Sequence, residues 1–257
     1  MSLWSADPLR IALAPGEAAL LRARGTPASR VLTSPDHSAA SLLPLLDEAL
    51  ADPAWRSRRV EVVLSQHFVR HVLTPPPGKA LSRAEEQALV AASLREIYGD
   101  EAARWRVQVQ SQPPQYGLVG AAVDASFAQQ LDALLARHGF REVMIRPLAS
   151  IAARRLPNKV EGWWALAEPG WLSLFGVANG AWQHFAGQPV DADWAIALPE
   201  LIEREVGLTT LPTPPSVWIQ PVGVGTVSKP VSGNGRWQVL PHDRQTHGVL
   251  ALAGLLI

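Results

Sequence analysis

Seven histidines and no cysteine bound the chemistry open to this chain. Without thiols there are no disulfides, no thiolate metal sites and no cysteine nucleophile. His67 and His71 stand four apart, the spacing at which two imidazoles on one helix face bind a metal. The stretch Gln66–Leu73 reads as extended, which places both rings on one strand face. No glutamate follows His67 as in a zinc protease, so both read as surface or half-buried histidines. His242-Asp243 and His247 come with no Gly-x-Ser-x-Gly elbow and read as loop residues. Neither Gly120 nor Gly223-Val224-Gly225 forms a dinucleotide fingerprint. No catalytic residue and no metal site is assigned.

The elements that would position any site must come from a well-packed chain. Its 257 residues are 47% hydrophobic and 18% charged, with a formal net charge of zero, which suits a globular protein large enough for two lobes. A chain that binds phosphate backbones shows a basic excess, so nucleic acid is not an expected partner. Met1–Pro8 lacks the basic start and apolar core of a signal peptide, and no apolar run is long enough to span a bilayer. With the missing cysteines, this reads as a cytoplasmic protein.

Leu9–Arg24 is two short apolar runs around Pro15-Gly16, a hairpin signal. Ser38–Ala51 has helical spacing through Leu42, Leu45, Leu46, Ala49 and Leu50. The β-branched run Val60–Ser65 reads as a buried strand. Ser82 with Glu85 three residues on is a capping box opening a helix to Tyr98, with Gly99 placed to end it. Trp105–Gln110 and Tyr116–Val123 read as strands, Asp124–Leu135 as a capped helix, and Glu142–Arg146 as a strand. Beyond the link Leu156–Lys159 come strands Trp163–Ala167, Trp171–Val177 and Ala181–Ala186, the first pair turning at Pro169-Gly170 and the second at Asn179-Gly180. Asp193–Val206 reads as a helix, and Gly248–Ile257 as a buried terminal helix. The order strand–Pro-Gly–strand, helix, strand thus occurs twice, from Leu13-Ala14-Pro15-Gly16 and from Leu166-Ala167-Glu168-Pro169-Gly170. Seven of the ten tryptophans lie between Trp163 and Trp237. Alternation sends Trp163 and Trp164 to opposite sheet faces, and the set serves core packing with at least one interface.

Taken in order, Val60–Ser65, Phe68-Val69-Arg70, the proline loop at Pro75–Pro77, Leu81–Glu86, Ile97-Tyr98-Gly99 and Ala251–Leu256 resemble the PilM-type, GspL-like branch of the actin-like ATPase fold family. That branch includes cytoplasmic components of type IV pilus and type II secretion platforms. The resemblance covers nearly the whole chain. It implies an α/β protein of two RNase H-like (actin-like) lobes with an inserted α+β subdomain in the first. The implied division is 1–65 with 143–157 for the first lobe, 66–142 for the insert and 158–257 for the second lobe.

The resemblance also implies three nucleotide loops. Each phosphate hairpin of the family carries an Asp-x-Gly element, its aspartate acting through Mg²⁺ and its glycine admitting the phosphates. Here the first offers Ala14-Pro15-Gly16, with no aspartate and no hydroxyl. The second offers Glu168-Pro169-Gly170-Trp171, where Glu168 stands in for the acid and Trp171 is placed to crowd the phosphates. Each proline removes a backbone donor. The third loop, a Gly-Gly helix start against adenosine in the family, is reduced to Gly223 and Gly225 before Pro230. No cofactor is expected, and ATP hydrolysis is not expected.

What the resemblance implies is a non-catalytic cytoplasmic scaffold, peripheral at the inner membrane through its partner. It would dock the cytoplasmic tail of a membrane protein in a groove between the first lobe and the insert. The alternatives are a divergent ATP-binding enzyme, ATPase or kinase, using Glu168, and an unrelated two-domain α/β protein with an accidental repeat.

Overall fold

Apolar runs punctuated by Pro-Gly build the first sheet of the computed structural model, which describes residues 7–23, 27–36, 38–157, 160–211, 215–224, 235–241 and 248–256. Strands β1 (Leu9–Ala14) and β2 (Glu17–Arg22) pair antiparallel through Pro15-Gly16, with Gly16 at φ 72°. Proline presets the first turn residue, and glycine takes the left-handed φ of the second without steric cost. β3 (Ala28–Thr33) adds antiparallel to β2. Helix α1 (Ala39–Leu50) begins at Ser38, whose hydroxyl accepts from the Ser41 N–H at 3.1 Å. It returns the chain to β4 (Arg59–Leu64), parallel to β1.

Between β4 and the last strand of this sheet, the chain forms a separate three-stranded sheet. Its strands are β5 (Arg70–Leu73), β6 (Trp105–Gln110) and β7 (Val119–Asp124), in the order β5-β7-β6. Helix α2 (Arg83–Tyr98) packs on it through Val90 and Leu94. The capping box is complete: Ser82 Oγ accepts from Glu85 N–H, and the Glu85 carboxylate accepts from Ser82 N–H at 2.7 Å. Gly120 is the close approach, because a Cβ there would lie 2.4 Å from Val90 Cγ1 and 2.7 Å from Val72 Cγ1. Helix α3 (Ala125–Arg137), capped by Asp124, leads to β8 (Glu142–Pro147), parallel to β4, and then to the short α4 (Leu148–Ala152). The first sheet has the order β3-β2-β1-β4-β8.

The second sheet repeats the first strand for strand. β9 (Gly162–Glu168), β10 (Trp171–Ala178) and β11 (Ala181–Pro189) form a meander. Helix α5 (Trp194–Val206) then leads to β12 (Ser216–Pro221), parallel to β9, and β13 (Arg236–Val239) pairs parallel to β12. The order β11-β10-β9-β12-β13 is that of the first sheet, with every strand sense preserved. The identity reaches single hydrogen bonds. The turn carbonyl of Gly16 accepts from Ser34 N–H at 2.7 Å, and that of Gly170 from Val190 N–H at 3.1 Å. Ser65 N–H donates to Leu13 O, and Val222 N–H to Ala167 O, both at 2.8 Å. Each lobe's helix also carries an internal proline at its sixth residue, Pro44 and Pro199.

The fold is therefore the expected α/β pair of RNase H-like lobes with an inserted α+β subdomain. The chain groups into two compact units: Met1–Val69 with Asp124–Arg154 and Gln245–Ile257, and Arg70–Val123 with Arg155–Arg244. Two segments differ from the sequence-based division. α3, read there as part of the insert, packs on α1, where Arg137 and His138 both reach Asp47, at 2.9 and 2.7 Å. The terminal helix α6 (Gly248–Gly254), read as second-lobe, packs on β1 and β2, and Arg10 Nε donates to Leu256 O at 3.2 Å. Each carries an apolar stripe that must be buried, and the first unit supplies the partner, α1 for α3 and the sheet at β1 and β2 for α6.

Candidate functional site

Both Pro-Gly turns are two-residue loops, closed by the pairs Ala14–Glu17 and Glu168–Trp171. Their glycines sit at φ 72° and 74°. Pro15 and Pro169 have no N–H, so each turn keeps one turn amide, its glycine's. A phosphate cradle needs several convergent N–H groups. Each turn also has a carboxylate beside it. Glu17 follows the first, and the start of α6 lies against it, with a Cβ on Gly248 falling 3.3 Å from Glu17 Oε2. Glu168 precedes the second and is 1% exposed. Ala14 and Gly16 belong to one compact unit, and Glu168, Gly170 and Gly223 to the other.

Within the second unit, the Val222–Ala167 bond brings Gly223, at φ 69°, to the same end of the sheet as Glu168. Gly225 and Pro230 lie outside the described residues, as do His242, Asp243 and His247. In the first unit, the matching Ser65–Leu13 bond puts Ser65 and Gln66 beside the Ala14 end of β1, 0% and 1% exposed. Ser65 Oγ accepts from His67 N–H at 3.2 Å, and Gln66 Oε1 from Ala149 N–H at 3.3 Å. Sequence reading passed over this pair, although a Ser-Gln dipeptide directly after a buried apolar strand was its visible sign.

Trp171 does not take the place at the phosphates that its position suggested. Its indole lies over Gly187 of β11, where a Cβ would come within 3.2 Å of the ring, and the Arg70 guanidinium stands 5.9 Å from a ring centroid. His67 and His71 do not share a strand face either. His67 lies in a 3-10 turn, Gln66–Phe68, while His71 is in β5. His71 packs against Phe175 and Phe185, with centroids at 5.9 and 5.7 Å, and burial pulls its pKa down to about 4. Among the described residues, no three His, Asp or Glu side chains are grouped to hold a metal.

The tryptophans resolve into a register effect. Phe185, Phe175, Trp164 and Trp218 are successive partners across β11, β10, β9 and β12, so four aromatic side chains form one row across the sheet. Trp164 stacks on Phe175 at 4.6 Å and donates its indole N–H to Gln220 Oε1 at 3.0 Å. Trp163 faces the other way, into the cluster made with Trp194, Leu198 and Ile202 of α5. The insert joins this unit through Gln112. Its Nε2 donates to Trp182 O at 3.0 Å and Gly117 O at 2.9 Å, and its Oε1 accepts from Trp182 N–H at 2.8 Å.

Paired sheets of this order, each opening on a β-hairpin turn, define the actin-like ATPase fold. Three solved structures show the likeness over nearly full length. The cytoplasmic domain of EpsL, an inner membrane component of the type II secretion system of Vibrio cholerae, is 16% identical, with a TM-score of 0.57 over 96% of this chain and 92% of that one. A chain of the PilM–PilN type IV pilus biogenesis complex is 14% identical, with a TM-score of 0.61 over 98% and 97%. A Bacteroides thetaiotaomicron protein with actin-like ATPase fold and unknown function is 10% identical, with a TM-score of 0.57 over 97% and 95%. No family model matches the sequence, and no curated protein matches it. Among the described residues, no helix is long and apolar enough to cross a membrane.

Proposed function

We propose that this chain is a non-catalytic actin-like scaffold that holds the cytoplasmic tail of an inner-membrane protein in a type IV pilus or type II secretion-like assembly. The observation that carries this reading is the pair of turns. Both retain the hairpin geometry, and both have a proline where a phosphate-binding turn needs a donor. The fold shared with EpsL and PilM supports the assembly context. The tail would bind as an extended segment through main-chain hydrogen bonds and apolar pockets, and the chain would reach the membrane through it.

Titration calorimetry with Mg-ATP tests the proposal. No saturable heat is expected up to millimolar nucleotide. Micromolar affinity would instead favour a divergent ATPase or kinase, the second reading, for which the buried Glu168 carboxylate at the second turn is the supporting observation.

A further inference from the structure

The two lobes leave their corresponding edge strands in opposite conditions. β11, the edge of the second sheet, is defended. Its register with β10 slips between Gly176 and Val177, it ends on Pro189, and Gln112 occupies both main-chain groups of Trp182. Bulges, prolines and covering side chains are the devices that stop a sheet edge from pairing further. β3 stands at the same place in the first sheet and has none of them. It pairs with β2 without a shift from Ala28 to Thr33, and it holds no proline, glycine or lysine. Just past it, Ser34 N–H donates to Gly16 O, on the β2 side. Main-chain groups alternate sides along a strand. Ala28, Arg30 and Leu32 therefore face β2, while Ser29, Val31 and Thr33 turn their N–H and C=O outward. Among the described residues, none of these outward groups has a hydrogen-bond partner. All three residues are exposed, Val31 by 47%.

We propose that β3 is a self-association edge: a second copy of this chain adds its own β3 antiparallel to it, joining two first sheets into one. The strand suits itself as a partner in one register. Centred on Val31, the outward groups of Val31 meet those of Val31 in the second copy, and Ser29 meets Thr33 on each side. That sets two half-exposed valines together and pairs hydroxyl with hydroxyl, both favourable cross-strand combinations. Arg30 then lies opposite Leu32. The neighbouring in-phase registers are worse. Moving one way sets Arg30 against Arg30, a like-charge pair, and moving the other sets Ser29 against Pro35, which has no N–H. A strand seam alone covers less than the roughly 800 Å² per partner of a standard interface, so the dimer is reversible and its population follows concentration. This inference is independent of the tail-binding reading and of the Pro-Gly turns.

The test uses the full chain, which has no cysteine of its own. Sedimentation velocity over a concentration series should show a monomer–dimer equilibrium, and amide exchange in β3 should slow as concentration rises. Val31→Lys sets two cations opposite each other and should weaken association at least about tenfold, with the thermal midpoint of the monomer unchanged. Val31→Pro removes an outward N–H from an edge strand and should do the same. Single cysteines read the register. Opposed Cα atoms of a hydrogen-bonded antiparallel pair lie about 5.5 Å apart, within disulfide reach. Val31→Cys should therefore cross-link to a dimer under mild oxidation. Ser29→Cys alone should not, whereas Ser29→Cys mixed with Thr33→Cys should. A monomer at every concentration, which would leave this edge to an extended segment of another protein, overturns the proposal. So does a dimer that Val31→Lys and Val31→Pro leave intact, or cross-linking of Ser29→Cys equal to that of Val31→Cys.

Discussion

Gln112 uses both ends of its side-chain amide on the backbone of Trp182, accepting from its N–H and donating to its C=O. That is the pairing an added strand would make with the open edge of β11, supplied here by one side chain. Buried main-chain groups left without such partners cost about 1–3 kcal/mol each. Gln112→Ala is therefore expected to destabilise the fold by about 1–3 kcal/mol and to speed exchange of the Trp182 amide, read by hydrogen exchange with mass spectrometry. Gln112→Glu should do more harm than Ala, since a carboxylate then faces the Trp182 carbonyl. His71 makes the second residue-scale prediction. Burial against Phe175 and Phe185 holds it neutral, with a folded pKa of about 4 against 6.5 for the free group. A base depressed on folding contributes stability that is complete above 6.5 and is lost as pH falls from there through 4. Thermal midpoints of the protein and of His71→Phe, compared from pH 7 to pH 4, should converge or cross as the acid limb is reached. Parallel curves would dismiss His71 as a source of acid sensitivity.

At the scale of elements, α2 and β7 show how closely sequence and packing agree. α2 is poorly amphipathic, so its ends matter: Ser82 and Glu85 satisfy each other's backbone N–H groups, and the bond from Ser82 N–H holds the Glu85 carboxyl below its usual range. Ser82→Ala should cost about 1 kcal/mol in denaturant titrations. Beneath the helix, Gly120 admits Val90 and Val72 at a distance no Cβ tolerates. Gly120→Val should therefore lift α2 from the sheet at a cost of about 1–3 kcal/mol or more, visible as lost protection in β7 and α2 together. An unchanged exchange pattern would mean the insert repacks freely. The hairpins, the capping box and the helix after Asp124 were all legible, because each rests on local chemistry. β3 was not, because an edge strand with exposed Ser29, Arg30 and Val31 has little apolar alternation. The short α4 lacked any side-chain cap to announce it.

Across the whole molecule the two sheets are copies, down to the turn-glycine carbonyl bonds and the sixth-residue prolines of α1 and α5. The copies are closed differently. On the first sheet α6 buries Val249, Leu252 and Ala253 over β1 and β2, and Arg10 bridges Leu256 to Asp7. Removing residues 248–257 should strip roughly 5 kcal/mol of apolar burial from this unit at about 1.5–3 kcal/mol per large side chain. The expected outcome is loss of cooperative unfolding for 1–247 in circular dichroism melts, whereas a sharp melt near that of the full chain would show α6 to be dispensable.

The sequence by itself determined the parts that depend on neighbours a few residues away: Pro-Gly turns, caps, apolar periods and the repeat they spell out twice. It also showed the chemistry each turn lacks, because a proline has no N–H in any fold. Only the tertiary structure decided where α3 and α6 pack, that Trp171 lies over Gly187, and that Phe185, Phe175, Trp164 and Trp218 meet in one row. Those outcomes depend on strand register and on which sheet face remains to be covered. Both are set by partners distant in the chain, and no local pattern encodes them.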